Sequence, residues 1–169
     1  MNYKEKIVDV PNWPADGVVF KDITPLLADY DAFLNATDDM AIMIEEMADC
    51  HLVAGIESRG FIFGAAVASL NARGFVPVRK AGKLPPPVIG IDSTKEYGHE
   101  YLEVKEGSGD VIIVDDVLAT GGTLRATEQL LTDAGYNVVG AVVLIDLTYL
   151  HSEILIGGKP VQSLIKYDE

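Results

Sequence analysis

The sequence predicts an α/β fold in a single domain, residues 1–169, with a mainly parallel sheet flanked by helices. Three observations carry that expectation. Unbroken apolar runs, "LVAGI" (52–56), "FVPV" (75–78), "VIIV" (111–114) and "YNVVGAVVLIDL" (136–147), read as strands buried on both faces. Segments with apolar residues at helical spacing separate them. Two of those segments run into a glycine, Gly74 and Gly135, a common C-terminal stop.

Taken in order, "VPNWPADGVVFKDITPLL" holds three prolines and no sustained period, so it reads as an irregular packed segment. From Asp31 to Cys50 the apolar residues Phe33, Leu34, Ile42, Met43 and Met47 fall partly on helical spacing, with acids opposite. After the 52–56 strand, "ESRG" opens the apolar helix "FIFGAAVASLNARG". Residues 81–101 contain three consecutive prolines and no clear period. A loop of about twenty residues inside a compact domain is usually functional or disordered. A helix is expected near 123–134, and "PVQSLIKY" supplies a last strand at an edge. No internal repeat and no interdomain linker is visible.

Composition narrows the function classes. The net charge of −13 and the lack of any long basic stretch disfavour nucleic acid and anionic lipid as partners. No apolar run approaches the roughly 18 residues needed to span a bilayer. Cys50 is alone, which suits a reducing cytoplasm. The expected protein is soluble and cytoplasmic. Three of its 13 cations, Arg79, Lys80 and Lys83, fall within five residues, a cluster suited to a small, highly charged anion or to a solvated loop.

The richest stretch is "DVIIVDDVLATGGTL" (110–124). A strand stops at Asp115 and Asp116, and Gly121 and Gly122 then lead into a helix. Glycines allow close backbone approach, and a helix N-terminus presents N–H groups to a phosphate. Thr120 and Thr123 add hydroxyls, or one of them simply caps the helix. Neither G-x-x-x-x-G-K-[ST] nor G-x-G-x-x-G is present. Carboxylates just before such a cradle can accept hydrogen bonds from sugar hydroxyls, or simply make the turn. "IESRG", "VRKAGK" and "VDDVLATGG" each follow an expected strand, so three loops converge beyond the strands' carboxyl ends.

At these residues, "VIIVDDVLATGGT" strongly resembles the phosphoribosyl pyrophosphate loop of the type I phosphoribosyltransferases. "FKDITPLL", "GIESRGFIFG", "FVPVRKAGKLP" and "EYGHEYLEV" look like successive signature blocks of the adenine phosphoribosyltransferase family. The resemblance covers roughly Pro11 to Leu147. It implies a homodimeric, Mg²⁺-dependent purine-salvage transferase making AMP and pyrophosphate from adenine and phosphoribosyl pyrophosphate. Ala119, Thr120, Gly121, Gly122 and Thr123 would bind the 5-phosphate, and Asp115 and Asp116 the ribose hydroxyls. Arg79, Lys80 and Lys83 would serve the pyrophosphate, from the same subunit or across the dimer interface. Val19, Phe20 and Lys21, in a hood at about 10–27, would cover adenine. The 81–101 segment would be a catalytic lid with Glu96 and Tyr97, and Arg59 would lie beside the substrate. Mg²⁺ would be held mainly by the substrate, with no direct protein ligand implied.

The sequence departs from the family pattern at three places. Lys21 stands where arginine is common, Ser58 where alanine is usual, and Lys95 where an apolar residue is common. None of these removes a group the chemistry needs. His51, His99 and His151 match no metal spacing. Two other readings use the same phosphate loop: a transferase for another purine, and a regulator that senses phosphoribosyl pyrophosphate. The first would lack the hood and lid blocks, and the second needs a nucleic-acid surface that an acidic chain does not offer.

Overall fold

A computed structural model describes residues 1–95 and 98–169, and Glu96 and Tyr97 of the expected lid lie outside the described residues. Its strands are β1 (Val8–Pro11), β2 (Val19–Asp22), β3 (Leu52–Ile56), β4 (Gly74–Lys80), β5 (Ile89–Lys95), β6 (Gly98–Val104), β7 (Gly109–Leu118), β8 (Tyr136–Leu147), β9 (Leu155–Ile156), β10 (Lys159–Pro160) and β11 (Gln162–Tyr167). The helices are α1 (Thr24–Ala28), α2 (Tyr30–Met47), α3 (Arg59–Leu70) and α4 (Gly122–Asp133).

The main sheet has seven strands in the order β11-β8-β7-β3-β4-β6-β5. The five from β11 to β4 are parallel, and the β5–β6 hairpin adds on antiparallel to β4. Side chains alternate between two cores. Val53, Ile112, Val114, Val142 and Leu144 pack with α2 and α3 residues such as Ile44, Phe63 and Val67. Ala54, Ile56, Val111, Ile113 and Val143 pack with Leu124, Leu130 and Leu131 of α4. Burial on both faces is why these strands read as continuous apolar runs.

The chain order fixes where a ligand can enter. From β3 the chain crosses through α3 to β4 on one side, and from β7 through α4 to β8 on the other. Central neighbours β3 and β7 thus form a topological switch point, whose carboxyl ends leave a crevice. No helix among the described residues is long and apolar enough to cross a membrane.

Four local expectations are corrected. Segment 81–101 is not a structureless loop, because it contains β5 and most of β6. Ile89, Ile91, Leu102 and Val104 turn one face of that hairpin toward the α4 core. The N-terminal segment forms a two-stranded ribbon, β1 paired with β2, rather than an irregular coil. Its connection closes because Asn12 and Gly17 adopt positive φ and the Gly17 N–H donates to Asn12 Oδ1 at 3.0 Å. Helix α3 ends at Leu70, and Ala72 rather than Gly74 takes the left-handed conformation, with Gly74 opening β4. Finally, β7 continues through Asp115 to Leu118, because the long β8 offers partners Val143, Ile145 and Asp146.

Candidate active site

A cleft of about 570 Å³ opens at the switch point. It is walled by the β3–α3 loop (Ile56 to Arg59), by β7 and its loop (Asp115 to Leu124), by the ribbon (Trp13, Pro14 and Val18 to Lys21), and by Lys80 and Leu147. The convergence of loops expected from the sequence is therefore met by "ESRG" and "DDVLATGG" and by one residue of the basic cluster.

At one end lies the N-terminus of α4. Gly121 holds φ at +88°, and a Cβ there would overlap Ile154 Cδ1, so the position calls for glycine. Helical bonding begins with the Arg125 N–H donating to Gly121 O at 3.0 Å. The preceding helical N–H groups have no intrahelical partner, and no side chain caps this end. Ala119, Thr120, Gly121, Gly122 and Thr123 all border the cleft. Uncapped N–H groups at the positive end of a helix dipole make an anion cradle.

The acid pair beside the cradle is buried and divided between two neighbours. Asp115 Oδ1 accepts from the Asp116 N–H at 2.9 Å and lies over the first turn of α3. A Cβ on Gly60 would come within 2.6 Å of that oxygen, so "SRG" needs its glycine to admit the carboxylate. Burial, and next the nearby Asp116 charge, push the Asp115 carboxyl well above the usual range. Asp116 Oδ2 pairs with Arg59 Nε at 2.7 Å.

Arg59 also covers the Phe20 ring, with Cζ 4.6 Å from the centroid. On its other contact Phe20 meets Trp13 edge-on, centroids 4.5 Å apart. Trp13 was not singled out from the sequence, although an aromatic beside a Pro- and Gly-containing turn in the hood was a usable signal. Val19 and Lys21 border the cleft as well. The Lys21 ammonium, however, is buried against Asp9 and the Tyr167 ring, so only the rest of the residue is available to a ligand.

The basic cluster divides. Lys80 reaches the cleft and pairs with Glu100 Oε1 at 3.1 Å. Arg79 turns to Glu57, Nη2 to Oε1 3.0 Å, and over the Phe61 ring, so neither it nor Lys83 borders this cleft. Glu57 also accepts from the Lys80 N–H at 2.8 Å. The Arg79 hydrogen bond holds the Glu57 carboxyl below its usual range. Glu57 is thus a further residue that sequence reasoning passed over; its place directly after β3 was the available signal. Among the described residues no group of three or more His, Cys, Asp or Glu side chains is arranged to hold a metal ion. Asp115, Asp116 and Glu57 are hard oxygen donors bordering the cleft, of the kind that share a magnesium ion with substrate oxygens and water.

Comparison with known proteins identifies the family and the fold. Residues 26–156 match the phosphoribosyl transferase domain family. An adenine phosphoribosyltransferase of Bdellovibrio bacteriovorus is 42% identical over 167 residues, covering 99% of this chain and 100% of that protein. The crystal structure of adenine phosphoribosyltransferase from Thermoanaerobacter pseudethanolicus superposes with a TM-score of 0.87 at 40% identity, covering 98% of each chain. The Giardia lamblia enzyme, solved with 9-deazaadenine, gives 0.86 at 32% identity over 98% of this chain and 96% of that one. With a family match over most of its length and relatives that align end to end, the chain belongs to the phosphoribosyltransferase family, among the adenine phosphoribosyltransferases.

Proposed function

We propose that the protein transfers the phosphoribosyl group of phosphoribosyl pyrophosphate to adenine, releasing AMP and pyrophosphate in purine salvage. The observation that carries this reading is the uncapped N-terminus of α4 beside Asp115 and Asp116, in one cleft with the Phe20 ring. A phosphate, a pentose and a flat base fit that order of groups.

In this reading the N–H groups of the 119–123 loop and the α4 start, with Thr120 and Thr123, hold the 5-phosphate. Asp115 and Asp116 accept from the ribose hydroxyls, with Arg59 holding Asp116 in place. Val19, Phe20 and the Lys21 backbone form the hood, about 10–27, over adenine. A purine nitrogen forms the new bond to ribose C1 as the bond from C1 to pyrophosphate oxygen breaks, and positive charge develops on the sugar between these events. Asp115 and Asp116 are the residues that would stand nearest a Mg²⁺ ion brought in by phosphoribosyl pyrophosphate, which would supply positive charge opposite the departing pyrophosphate. Lys80 stabilises the charge of that leaving group from this chain. Glu96 takes the purine proton, a general-base role worth roughly 10²–10⁴-fold. Tyr97 packs over the ligands, and the 81–101 lid keeps water from the electrophilic sugar.

The assembly we propose is a homodimer. Leu34, Ile42, Ile62 and Leu70 of α2 and α3 are exposed apolar side chains, and Arg79 and Lys83 stand outside their own cleft. In a dimer both cations serve the pyrophosphate of the partner's site. The lone buried Cys50 suits a cytoplasmic setting.

The test mixes purified protein, Mg²⁺ and phosphoribosyl pyrophosphate with adenine, hypoxanthine, guanine or xanthine, and quantifies nucleotide by chromatography. AMP from adenine alone is expected. Turnover of a different base overturns the adenine assignment, and binding without turnover favours a sensor.

A further inference from the structure

Along its paired strands the ribbon that overhangs the cleft is held to the body of the domain by two cation–ring contacts, Arg59 of α3 over Phe20 and Lys21 against Tyr167. A two-stranded ribbon has little stability of its own. Flanking residues Ile7 and Ile23 enter the core, but within β1 and β2 themselves only one residue is buried, and it is a lysine. Lys21 pairs across the ribbon with Asp9, Nζ to Oδ1 2.7 Å, and its Nζ lies 4.0 Å from the centre of the Tyr167 ring. Lys4 Nζ approaches the same ring at 4.7 Å.

Tyr167 itself is fixed to the body of the domain. It ends β11, is in register with Leu147 at the end of β8, and its carbonyl accepts from Thr148 Oγ1 at 3.0 Å. Leu147 lines the cleft. Asp9 belongs to the ribbon, so its pairing with Lys21 cannot hold the ribbon to anything else. The Tyr167 ring is the contact that leads from Lys21 to the sheet.

We infer that Tyr167 is a positioning residue for the base: its ring anchors Lys21, and through Lys21 holds the β2 strand carrying Val19 and Phe20 at the height that receives a purine. The ring face attracts the ammonium, and burial strengthens that attraction. Tyr167 touches neither substrate in this arrangement. It acts on the base end of the cleft and leaves the phosphate cradle, which is built on α4 and β7, unaltered. The inference rests on the proposed transferase reading for its kinetic readout, but not for its physical one.

Trp13, the single tryptophan, sits at the ribbon turn against Phe20, so its fluorescence anisotropy reports the ribbon in the ligand-free protein. Tyr167→Leu, Tyr167→Phe and Lys21→Met would be compared with wild type. Tyr167→Leu is expected to lower Trp13 anisotropy and raise KM for adenine roughly tenfold, the size of one desolvated cation–π contact. KM for phosphoribosyl pyrophosphate, kcat and Tm should stay near wild type. Tyr167→Phe, which keeps the ring, should restore both readouts. Lys21→Met should match Tyr167→Leu, with no further loss when the two are combined. The inference is overturned if Tyr167→Leu leaves anisotropy and adenine KM unchanged, if Tyr167→Phe is as impaired as Tyr167→Leu, or if both KM values rise together with a fall in Tm. Should wild type fail to use adenine, the transferase reading falls, while the anisotropy comparison still decides the anchor.

Discussion

Arg59 Nε lies 2.7 Å from Asp116 Oδ2 while its guanidinium covers the Phe20 ring, so one side chain joins the acid pair to the hood. Replacing it should therefore disturb both ends of the cleft. Arg59→Lys keeps the charge but loses the planar stacking surface. We expect kcat/KM to fall about 10- to 100-fold in Arg59→Lys and further in Arg59→Ala, which leaves the buried Asp116 charge unpaired. Steady-state kinetics with each substrate varied checks this, and a variant within twofold of wild type would refute the linking role.

Asp115 should trade stability for function. Its folded carboxyl titrates well above the unfolded one, so the native state binds more protons than the unfolded state between the two values. Stability therefore falls as pH rises through that window and stays reduced above it. Asp115→Asn removes the penalty. Its Tm at neutral pH should exceed wild type by a few degrees, about 1 kcal/mol being worth about 2–4 °C in a chain of this size. The gap should close at pH below about 4. Use of phosphoribosyl pyrophosphate should collapse in the same variant. Calorimetry across pH, with kinetics alongside, tests both halves.

Glu57 should behave with the opposite sign. Arg79 depresses its folded carboxyl, so its stabilising contribution is complete above the ordinary glutamate value and is lost as pH falls through the folded one. The Tm difference between wild type and Glu57→Gln should be constant at neutral pH and shrink below about pH 4.3. Released from Glu57, Arg79 and the Lys80 backbone lose their fixed positions, and KM for phosphoribosyl pyrophosphate should rise several-fold. A Tm difference that grows on acidification would contradict the assignment.

Gly121→Ala should injure the cradle in two separable ways. The left-handed backbone strains any side chain, and the new methyl meets Ile154. A loss of about 1–3 kcal/mol is expected from the backbone strain. Adding Ile154→Ala should relieve the overlap without relieving the strain, so the double variant should recover only part of the Tm and of the affinity for phosphoribosyl pyrophosphate. Full recovery would mean that the φ requirement is negligible.

The parts of the fold that were legible in the sequence are those whose burial leaves no freedom. β3 and β8 appear there residue for residue, because strands covered on both faces must be apolar throughout. The turn at Gly121 was equally visible, since its positive φ and the nearness of Ile154 leave room for few other residues. The β1–β2 ribbon was hidden, because its closure depends on a turn between Asn12 and Gly17 among prolines that usually signal coil. The β5–β6 hairpin was masked by "PPP" and Gly90, although Ile89 and Ile91 alternate as a one-sided strand should. In the site, "DDVLATGGT" fixed the cradle and the acid pair. The partition of the cations could not be read, because it depends on Glu57 and Glu100, which meet Arg79 and Lys80 only after the sheet has formed.

The two ends of the cleft carry unequal burdens in the stability of the domain. The sugar-phosphate end is made of β7 and α4, whose side chains belong to a main core, whereas the ribbon contributes one buried lysine along its paired strands. Substitutions at 115–123 bear on the chemistry, and at the buried Leu118 and Gly121 they endanger folding as well. Those on the ribbon endanger neither, and alter only what the overhang can accept. Base preference is therefore the trait this architecture leaves open to evolutionary drift. Laboratory selection for a new nucleobase should collect changes at 10–22 long before any in the phosphate loop.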